Sequence, residues 1–396
     1  MASNSPIRIV GVKTLVVNAE MRNWIFIKVL TDQDGLYGWG EASLNWKTRA
    51  VTGAIEDLEP LLIGRDPRDI EQIVRILHKH SYYKLGIIGT TAISGIEHAL
   101  WDIFGKSLNL PVWRLLGGQT RNSIRLYTHL GLGSMKSVYE TFDPEPLKDQ
   151  AREVVELGYN ALKVVFIPYS HFSVDIPAQR RVGQLMESLR EAVGDNVEIM
   201  IDFHGRPASI SAALQYINIV APYQPMFCEE PIQPGDTEAM RMITERSPCP
   251  IATGERLIGY KEFEPLLASK AVNIIQPDLN HTGGLLEGKR IAAAAEQAFI
   301  GVAPHNPNGP LAGAAALHFA VSTPNFVIQE EMSGAVPWYD DVVTAPMKRN
   351  GPNWEVPDVI GLGVEVNEEE AKKHPFKQEV FHSQGAILND GTIVDW

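Results

Sequence analysis

Alternating apolar and polar residues near the start of the chain predict an antiparallel sheet. Residues 7–17 and 24–30 alternate as half-buried strands do, and residues 36–39 return as a third strand. The turn between the second and third strands is rich in aspartate and ends in glycine at residues 32–35, which is typical of a tight reversal. This part of the chain therefore predicts a three-stranded meander.

The pattern then changes to the period of a helix. Residues 50–62, 69–80 and 89–108 are predicted helices. In the last of them apolar residues recur three and four positions apart, at Ile93, Ile96, Ala99, Leu100 and Ile103. Pro111 prevents this helix from continuing. Three strands followed by helices predict a separate α+β domain.

From residue 124 onward, short β-rich segments alternate with helical ones. We predict eight strands, at residues 124–130, 161–166, 198–204, 226–231, 251–255, 273–279, 301–305 and 326–331. Eight βα units of roughly 20 to 40 residues fit an α/β fold of the (β/α)8 type, a modified TIM barrel. A doubly wound sheet is the alternative, but it gives no reason for so regular a spacing. The units share no sequence consensus, which argues against a solenoid.

The C-terminal part of the chain has no place in a completed barrel. It is rich in proline and glycine from residue 351 and strand-like at residues 361–366 and 386–394. We therefore predict three parts: an N-terminal α+β domain at residues 1–123, a barrel at 124–350, and a segment at 351–396 that packs back on the first domain.

The charge of the chain narrows the classes of partner. The 396 residues include 48 acidic and 35 basic side chains, which gives a formal charge of −13, and they contain no long basic block. This balance argues against a nucleic acid or an anionic membrane as the partner. An acidic protein that binds an anionic substrate needs local positive charge, and a metal ion can supply it.

Cysteine usage bears on the compartment. Cys228 and Cys249 cannot build a disulfide framework, and their spacing is not that of a zinc site. A reducing cytoplasm fits them best. Residues 1–6 are polar, and no apolar run approaches the roughly 18 residues needed to span a bilayer. We therefore expect neither a signal peptide nor a membrane helix.

Polar residues close most of the predicted barrel strands, at the end where barrel enzymes carry their chemistry. Asp202, Glu229 and Glu255 are 27 and 26 residues apart, which is one βα unit each time. Brought together without a cation, the three carboxylates would repel one another, and one would have to bind a proton. Mg²⁺ prefers oxygen ligands and removes the conflict. Zinc is less favoured, since no His/Cys pair accompanies them; solvated loop acids are the alternative.

Two of the eleven histidines stand out by their positions. His204 follows Asp202 by two residues and lies on the same side of a strand. His305 follows Asp278 by one βα unit, so this aspartate can accept a hydrogen bond from one ring nitrogen and raise the basicity of the other. Two histidines on opposite sides of a metal-bound substrate supply an acid and a base for an elimination. We assign no role to the other nine histidines. His129 and His281 lie near strand ends but have no acidic neighbour in phase. The rest lie away from the predicted strand ends: His78, His80, His98, His171, His318, His374 and His382.

The motifs around these residues resemble the enolase superfamily. The similarity rests on Asp-Phe-His-Gly-Arg at 202–206, Glu-Glu-Pro at 229–231, Gly-Glu-Arg at 254–256, Gln-Pro-Asp-Leu at 276–279 and Ala-Pro-His-Asn-Pro-Asn-Gly-Pro at 303–310. Gly-Trp-Gly-Glu at 38–41, Ala-Leu-Trp-Asp-Ile at 99–103 and Pro-Val-Trp-Arg-Leu-Leu-Gly-Gly at 111–118 extend it over nearly the whole chain. Within the superfamily, the chain is most similar to the mandelate-racemase-like sugar-acid dehydratases, and among those to the D-galactonate dehydratase family.

The resemblance implies a metal site. Asp202, Glu229 and Glu255 would bind Mg²⁺, with Glu229 and not Glu230 as the ligand from that pair. The metal would stabilise the second negative charge that builds up when the proton next to a carboxylate is removed.

The resemblance also implies a reaction, the dehydration of an aldonate to a 2-keto-3-deoxy acid. His305, paired with Asp278, would remove the C2 proton, and His204 would protonate the departing 3-hydroxyl. Glu330 resembles the residue that hydrogen-bonds the substrate carboxylate or its enediolate. Arg206 belongs to the dehydratase motif and either contacts substrate or pairs with a loop acid.

One departure from the relatives argues against a two-base racemase. Racemases of this group carry Lys-x-Lys at the end of the second strand, whereas this chain has Lys163-Val164-Val165, with Val165 in place of the second base. Lys163 either helps to neutralise the substrate carboxylate or forms an ion pair in the barrel.

The resemblance implies that residues 1–123 form a capping domain over the barrel, which carries the catalytic residues, and loops of this domain would then select the sugar. The candidates by position are Asn45, Trp46, Lys47, Tyr82, Tyr83 and Lys84. Residues 43–46 and 84–87 depart from the galactonate dehydratase pattern, so D-gluconate, D-arabinonate or another aldonate or aldarate stays open beside D-galactonate. A cycloisomerase of the same superfamily and a catalytically silent sugar-acid-binding barrel also stay open. Relatives suggest a homo-oligomer.

Overall fold

The computed structural model describes residues 6–130, 143–380 and 386–396 of the chain. His382 and residues 1–5 lie outside these ranges. The first sheet is antiparallel and has the order β1 (Ile9–Ala19), β2 (Arg22–Thr31) and β3 (Tyr37–Glu41). Consecutive strands pair, for example Phe26 on β2 with Glu41 on β3. The predicted meander is confirmed.

The helices that follow cover one side of this sheet. They are α1 (Thr48–Leu58), α2 (Ile70–His80) and α3 (Gly86–Leu108), and a short helix α4 (Val112–Leu115) comes after them. Helix α3 contacts β2 and β3, while α1 and α2 pack against α3. Most of α3 is buried all round, so its apolar residues pack against both the sheet and its helical neighbours. We call β1–β3 together with α1–α3 the cap.

Strands and helices alternate in the next part of the chain. The described barrel strands are β4 (Ser123–His129), β5 (Ala161–Val164), β6 (Glu198–Asp202), β7 (Phe227–Glu229), β8 (Ile251–Thr253), β9 (Ile274–Ile275), β10 (Gly301–Val302) and β11 (Gln329–Glu330). The described helices between them are α5 (Pro144–Glu156), α6 (Ile176–Val193), α7 (Ile210–Val220), α8 (Thr237–Arg246), α9 (Gly259–Ser269), α10 (Gly284–Gln297) and α11 (Pro310–Ser322).

These strands form a ring. Strands β4 to β10 pair in chain order and in parallel, and β11 pairs in parallel with β4. Phe326, shortly before β11, forms a parallel bridge with Val302 of β10, which joins the two ends. The predicted barrel with an N-terminal cap is confirmed. One apolar side chain from each unit fills the interior: Tyr127, Ala161, Met200, Phe227, Ala252, Ile274, Ala303 and Ile328.

The C-terminal segment contacts both the barrel and the cap. The elements after β11 are β12 (Val343–Thr344), β13 (Arg349–Asn350), β14 (Asn353–Glu355), β15 (Glu365–Val366) and α12 (Glu368–Ala371), and the last three lie within residues 351–396. Strand β14 pairs antiparallel with β4. Farther along, the backbone N–H of Leu362 donates to Asp102 of α3 at 2.8 Å, and Asn23 of β2 donates to the carbonyl of Lys377 at 2.9 Å. The division of the chain into three domains at these boundaries stays a prediction.

Within residues 6–130, 143–380 and 386–396, no helix is both long enough and apolar enough to cross a bilayer.

Two buried carboxylates of the cap contact the N-termini of barrel helices. Glu41 accepts hydrogen bonds from the backbone N–H groups of Gly309 and Ala312 at 2.7 and 2.9 Å, at the start of α11. Glu97 accepts from Leu285 and Leu286 at 2.9 Å each, at the start of α10. The unpaired N–H groups of a helix start favour such acceptors. Burial raises the pKa of both carboxyls to about 7.

The approach of α3 to β3 requires glycine. A Cβ atom on Gly40 would overlap the carbonyl oxygen of Gly95, and one on Gly38 would overlap that of Ala99. The two glycines therefore set the distance between the sheet and the helix that connects the cap to the barrel.

We expect Gly40→Ala to destabilise the protein by about 1–3 kcal/mol or more, because backbone atoms of α3 have to move to accept the methyl group. The matched control is Gly53→Ala, since Gly53 lies inside α1 with open space around its Cα. Alanine there should stabilise the protein by about 0.5–1 kcal/mol through its higher helix propensity. Urea unfolding measures both. Equal stability changes in the two variants would contradict the close packing of β3 on α3.

Candidate active site

Three carboxylates meet at the carboxyl ends of neighbouring barrel strands. Asp202 is the last residue of β6, Glu229 is the last of β7, and Glu255 follows β8 by two residues. Asp202 and Glu229 are paired in the sheet. One carboxylate oxygen from each of the three lies within 4.8 Å of the other two. The parallel register of the strands therefore produces a cluster of oxygen donors.

A buried ammonium group lies beside this cluster. Lys163 of β5 places Nζ 2.9 Å from Glu229, 2.9 Å from Glu330 and 3.7 Å from Asp202. Burial lowers the pKa of Lys163, but the neighbouring carboxylates outweigh burial and raise it well above its ordinary value. Lys163 is therefore charged and forms the ion pair that was one of its two predicted roles.

The charges in the cluster are unequal. Burial raises the pKa of Glu229, and the carboxylates of Asp202 and Glu255 raise it further, despite Lys163. The pKa of Asp202 is lowered, because His204 and Lys163 outweigh the effect of burial. Oε1 of Glu229 is buried and has no hydrogen-bond partner among the described residues. The cluster thus holds more negative charge than its protein surroundings compensate, and its donors are all carboxylate oxygens. Such a set suits a hard divalent cation.

Glu230 belongs to a different contact. Its carboxylate pairs with the guanidinium of Arg256, whose Nε donates to Oε1 at 3.1 Å, and Arg256 also donates to Gln233 at 2.7 Å. The side chains of Glu229 and Glu230 therefore diverge. This divergence gives the physical reason why Glu229 and not Glu230 joins Asp202 and Glu255.

A histidine and an aspartate from neighbouring strand ends form a hydrogen-bonded pair. Nδ1 of His305 lies 2.8 Å from Oδ2 of Asp278, and Nε2 of His305 lies 3.2 Å from Glu255. Because the carboxylate of Asp278 accepts a hydrogen bond from Nδ1–H, Nε2 is the ring nitrogen that can exchange protons with a substrate. Burial lowers the pKa of His305, but Glu255, Glu330 and Asp278 outweigh it and raise the pKa to about 10.

His204 lies against the first carboxylate of the cluster. Its backbone N–H donates to Oδ1 of Asp202 at 2.9 Å, and its Nε2 lies 3.0 Å from Oδ2. The residue has φ 51°, and Gly205 has φ 64°. Two successive left-handed residues turn the chain back immediately after β6, so that the imidazole lies beside Asp202. The ring of Trp396 is 6.1 Å from that of His204.

Glu330 accepts hydrogen bonds on both carboxylate oxygens. Oε1 contacts Nε2 of His129 at 2.6 Å, and Oε2 accepts from the backbone N–H of Asn306 at 2.7 Å. Lys163, His305 and His129 outweigh burial and lower the pKa of Glu330 well below its ordinary value. Glu330 is therefore an ionised acceptor between the barrel lysine and the His305 loop.

The expectation that His129 and His281 have no acidic neighbour is wrong. His129 contacts Glu330, because the closing of the ring puts β11 next to β4. Nε2 of His281 lies 3.4 Å from Asp278, because a turn folds residues 278–282 back on themselves. A barrel pairs its first strand with its last, and this rule applied to the sequence would have identified the contact of His129 with Glu330. A turn brings residues three positions apart together, and this rule would have identified the contact of His281 with Asp278.

The remaining predicted site residues lie in different places. Arg206 is buried; it donates to the carbonyl of Ile167, and its guanidinium lies 4.7 Å from the centre of the Tyr169 ring. Trp46 donates its backbone N–H to Glu379 at 3.0 Å, and its ring lies 4.8 Å from that of Trp396.

Asn45 and Tyr83 differ in their surroundings. Asn45 is half-buried in the turn before α1, next to Trp46. Tyr83 is exposed, and its ring packs edge-on against that of Tyr82. It lines a cavity of about 1040 Å³ between the cap and helices α9 and α10, and none of the clustered carboxylates or of His204 and His305 lines that cavity. The structure thus brings Trp46 to the side of His204, through Trp396, and does not bring Tyr83 there.

Comparison with known families agrees with this architecture. Residues 3–117 match the family model for the mandelate racemase / muconate lactonizing enzyme N-terminal domain, and residues 146–371 match that for the enolase C-terminal domain-like family. A barrel with an N-terminal cap and carboxylates at its strand ends defines the class, and the chain belongs to the enolase superfamily.

Similar proteins narrow the class to dehydratases. The chain is 34% identical over 389 residues to a D-galactonate dehydratase of Klebsiella pneumoniae, covering 94% of this chain and 96% of the relative. A D-galactonate dehydratase of Verminephrobacter eiseniae is also 34% identical, over 391 residues, with the same coverage. A mandelate racemase/muconate lactonizing enzyme-like protein of Roseovarius sp. TM1035 superposes with a TM-score of 0.87 at 31% identity, covering 96% of this chain and 97% of that one. The protein is a hydro-lyase of the dehydratase type that resembles galactonate dehydratases.

We expect Mg²⁺ to raise the thermal unfolding midpoint, since a cation that binds only the folded state stabilises it, by about 2.7 kcal/mol at 100 times its Kd. Glu255→Gln should lose most of this rise, because it removes one of the three carboxylates of the cluster. Glu264→Gln makes the same change at an exposed position and is the control. A rise in Glu255→Gln as large as in the control would contradict a cation site at the cluster.

Proposed function

We propose that the protein is a Mg²⁺-dependent sugar-acid dehydratase that acts on an aldonate such as D-galactonate and forms a 2-keto-3-deoxy acid. The observation that carries this proposal is the arrangement of one carboxylate cluster, Asp202, Glu229 and Glu255, between two histidines. The similarity to D-galactonate dehydratases over 94% of the chain supports the choice of substrate class.

Asp202, Glu229 and Glu255 are the residues that would hold the metal. The ion would supply positive charge for the substrate carboxylate, whose negative charge increases when the adjacent C–H is deprotonated. The donor set supports Mg²⁺, since it consists of carboxylate oxygens with no thiolate or ring nitrogen among the three.

His305 is the proposed base for the proton at C2. Asp278 accepts a hydrogen bond from Nδ1–H of His305, and this bond holds the ring with Nε2 toward the carboxylate cluster. A base has to be unprotonated before it acts, and part of the rise in the pKa of His305 comes from Glu255. Neutralising that carboxylate with a bound cation would lower the pKa of His305 toward the range in which it can accept a proton.

His204 is the proposed acid that protonates the 3-hydroxyl as it leaves. Its Nε2 lies 3.0 Å from Oδ2 of Asp202, and this contact keeps the imidazole beside the cluster. The base removes a proton from carbon and the acid returns one to the leaving oxygen, so water departs and the resulting enol tautomerises to the 2-keto acid.

Lys163 and Glu330 are proposed to set the charge around these groups. Glu330 was expected to hydrogen-bond the substrate carboxylate or its enediolate. As an ionised acceptor held by His129 and Asn306, it is better suited to fix Lys163 and the loop of His305 in place. Lys163 then adds positive charge near the substrate carboxylate without touching it.

The far hydroxyls of the sugar are proposed to meet the loop of Asn45 and Trp46. Arg206 is proposed to hold the loop after β5 through Ile167 and Tyr169. We further propose a cytoplasmic homo-oligomer, with a small-molecule sugar acid as partner and neither nucleic acid nor membrane. The free thiols of Cys228 and Cys249 are consistent with that compartment.

A panel of aldonic and aldaric acids, incubated with the enzyme and MgCl₂, should include at least one that yields a 2-keto-3-deoxy acid, measured as its semicarbazone. His305→Asn and His204→Asn should each lower kcat by about 10²–10⁴-fold, the range of general acid–base groups. In D₂O, His204→Asn should still exchange the C2 proton of the substrate, whereas His305→Asn should not.

His80→Asn makes the same substitution on an exposed histidine of α2 and serves as the control. Retained turnover in both His305→Asn and His204→Asn would contradict the mechanism. Binding of an aldonate by calorimetry without any product would favour a sugar-acid-binding barrel instead. A lactone or an isomer as the product would favour a cycloisomerase.

A further inference from the structure

Asp278 has a second histidine neighbour besides His305. Its Oδ2 lies 2.8 Å from Nδ1 of His305, 3.2 Å from the amide nitrogen of Asn308 and 3.4 Å from Nε2 of His281. Its Oδ1 accepts from the backbone N–H of Asn280 at 2.7 Å. The carboxylate that orients the proposed base is therefore itself surrounded by donors, and His281 is the one whose other end leads away from the active site.

His281 has one ring nitrogen facing Thr91 and the other facing Asp278. Nε2 lies 3.4 Å from Oδ2 of Asp278, and since an ionised carboxylate only accepts hydrogen bonds, this contact favours the tautomer with the proton on Nε2. Nδ1 lies 3.0 Å from Oγ1 of Thr91, and in that tautomer it accepts a hydrogen bond from the hydroxyl. Burial lowers the pKa of His281. The ring thus connects Thr91 to Asp278.

Thr91 belongs to a row of cap residues that hold the chain after β9. Thr91, Ser94 and Glu97 lie on one face of α3, since they are three residues apart. Ser94 accepts the backbone N–H of Gly283 at 3.0 Å, and Glu97 accepts those of Leu285 and Leu286 at 2.9 Å each. Helix α3 therefore contacts this turn at three successive points, and the contact nearest to the active site is the one through His281.

We propose that His281 is a positioning residue for the Asp278–His305 pair, and that it links the geometry of this pair to helix α3 of the cap through Thr91. The inference rests on the proposed function, in which His305 is the base. His281 does not touch the substrate; it holds Asp278 so that Nε2 of His305 keeps its direction. Residues of this kind typically change activity about 10- to 100-fold when replaced.

The main test compares His281→Leu, which removes both ring nitrogens, with His281→Gln, whose amide N–H can reach the position of Nε2. We expect His281→Leu to lower kcat for the best aldonate by about 10- to 100-fold, with KM within about threefold of the wild type. Deuterium at C2 should slow this variant more than the wild type, because proton removal becomes rate-limiting. His281→Gln should recover most of the lost kcat.

Thr91→Val tests the link to the cap. It removes the hydroxyl at nearly constant volume, so kcat should fall less than in His281→Leu. In the His281→Leu background it should have no further effect on kcat, because Thr91 acts through His281. His318→Leu is the matched control: His318 is a buried histidine with two hydrogen bonds, to Trp113 and Leu362, that do not involve Asp278. It should lower stability and leave the isotope effect unchanged.

A second measurement does not require turnover. In ¹⁵N-histidine NMR, the Nδ1 proton of His305, assigned by its loss in His305→Asn, should shift in His281→Leu and return in His281→Gln. An unshifted proton or an unchanged kcat in His281→Leu would overturn the proposal, as would a His281→Gln variant no better than His281→Leu. A wild type that dehydrates none of the acids would instead contradict the proposed function, and the NMR comparison alone would then decide the role of His281.

Discussion

The carboxyl end of the barrel depends on one buried ammonium group. Lys163 is surrounded by Glu229, Glu330 and Asp202, and no such set of carboxylates can be buried together in the ionised form without positive charge among them. One lysine compensates only part of this charge. Lys163 therefore leaves negative charge on the cluster that Asp202 and Glu229 form with Glu255. The same carboxylates that the lysine helps to bury thus form a set of oxygen ligands that suits a divalent cation.

A second constraint comes from the cap. Gly38 and Gly40 allow β3 to lie directly on α3, and other residues of α3 contact the turn after β9. The helix is thus in contact with both the sheet of the cap and this turn of the barrel. The central helix of the cap therefore supports the residues next to the proposed base.

Sequence patterns predict most of this architecture, because each barrel strand is an apolar run closed by polar residues at a regular spacing. The same regularity predicts that Asp202, Glu229 and Glu255 converge. The contacts of His129 and His281 are not predictable in this way, since one depends on the closing of the ring and the other on a turn within one loop. The location of Tyr83 is inaccessible from sequence even with such rules, because the position of a loop before a helix does not reveal which cavity the loop lines.

The contact between Thr91 and His281 joins residues that are 190 positions apart in the chain, and that between Glu97 and Leu286 spans 189. Neighbouring barrel strands, by contrast, meet across a single βα unit, except for β4 and β11, which close the ring. Contacts of such long sequence separation require the closing of large loops and are expected to form late in folding. In a chain whose barrel has formed but whose cap has not yet docked, His305 and Asp278 would already be present. They would lack the support that Thr91 gives them through His281. Catalytic competence and completion of the tertiary fold would then be acquired in the same step.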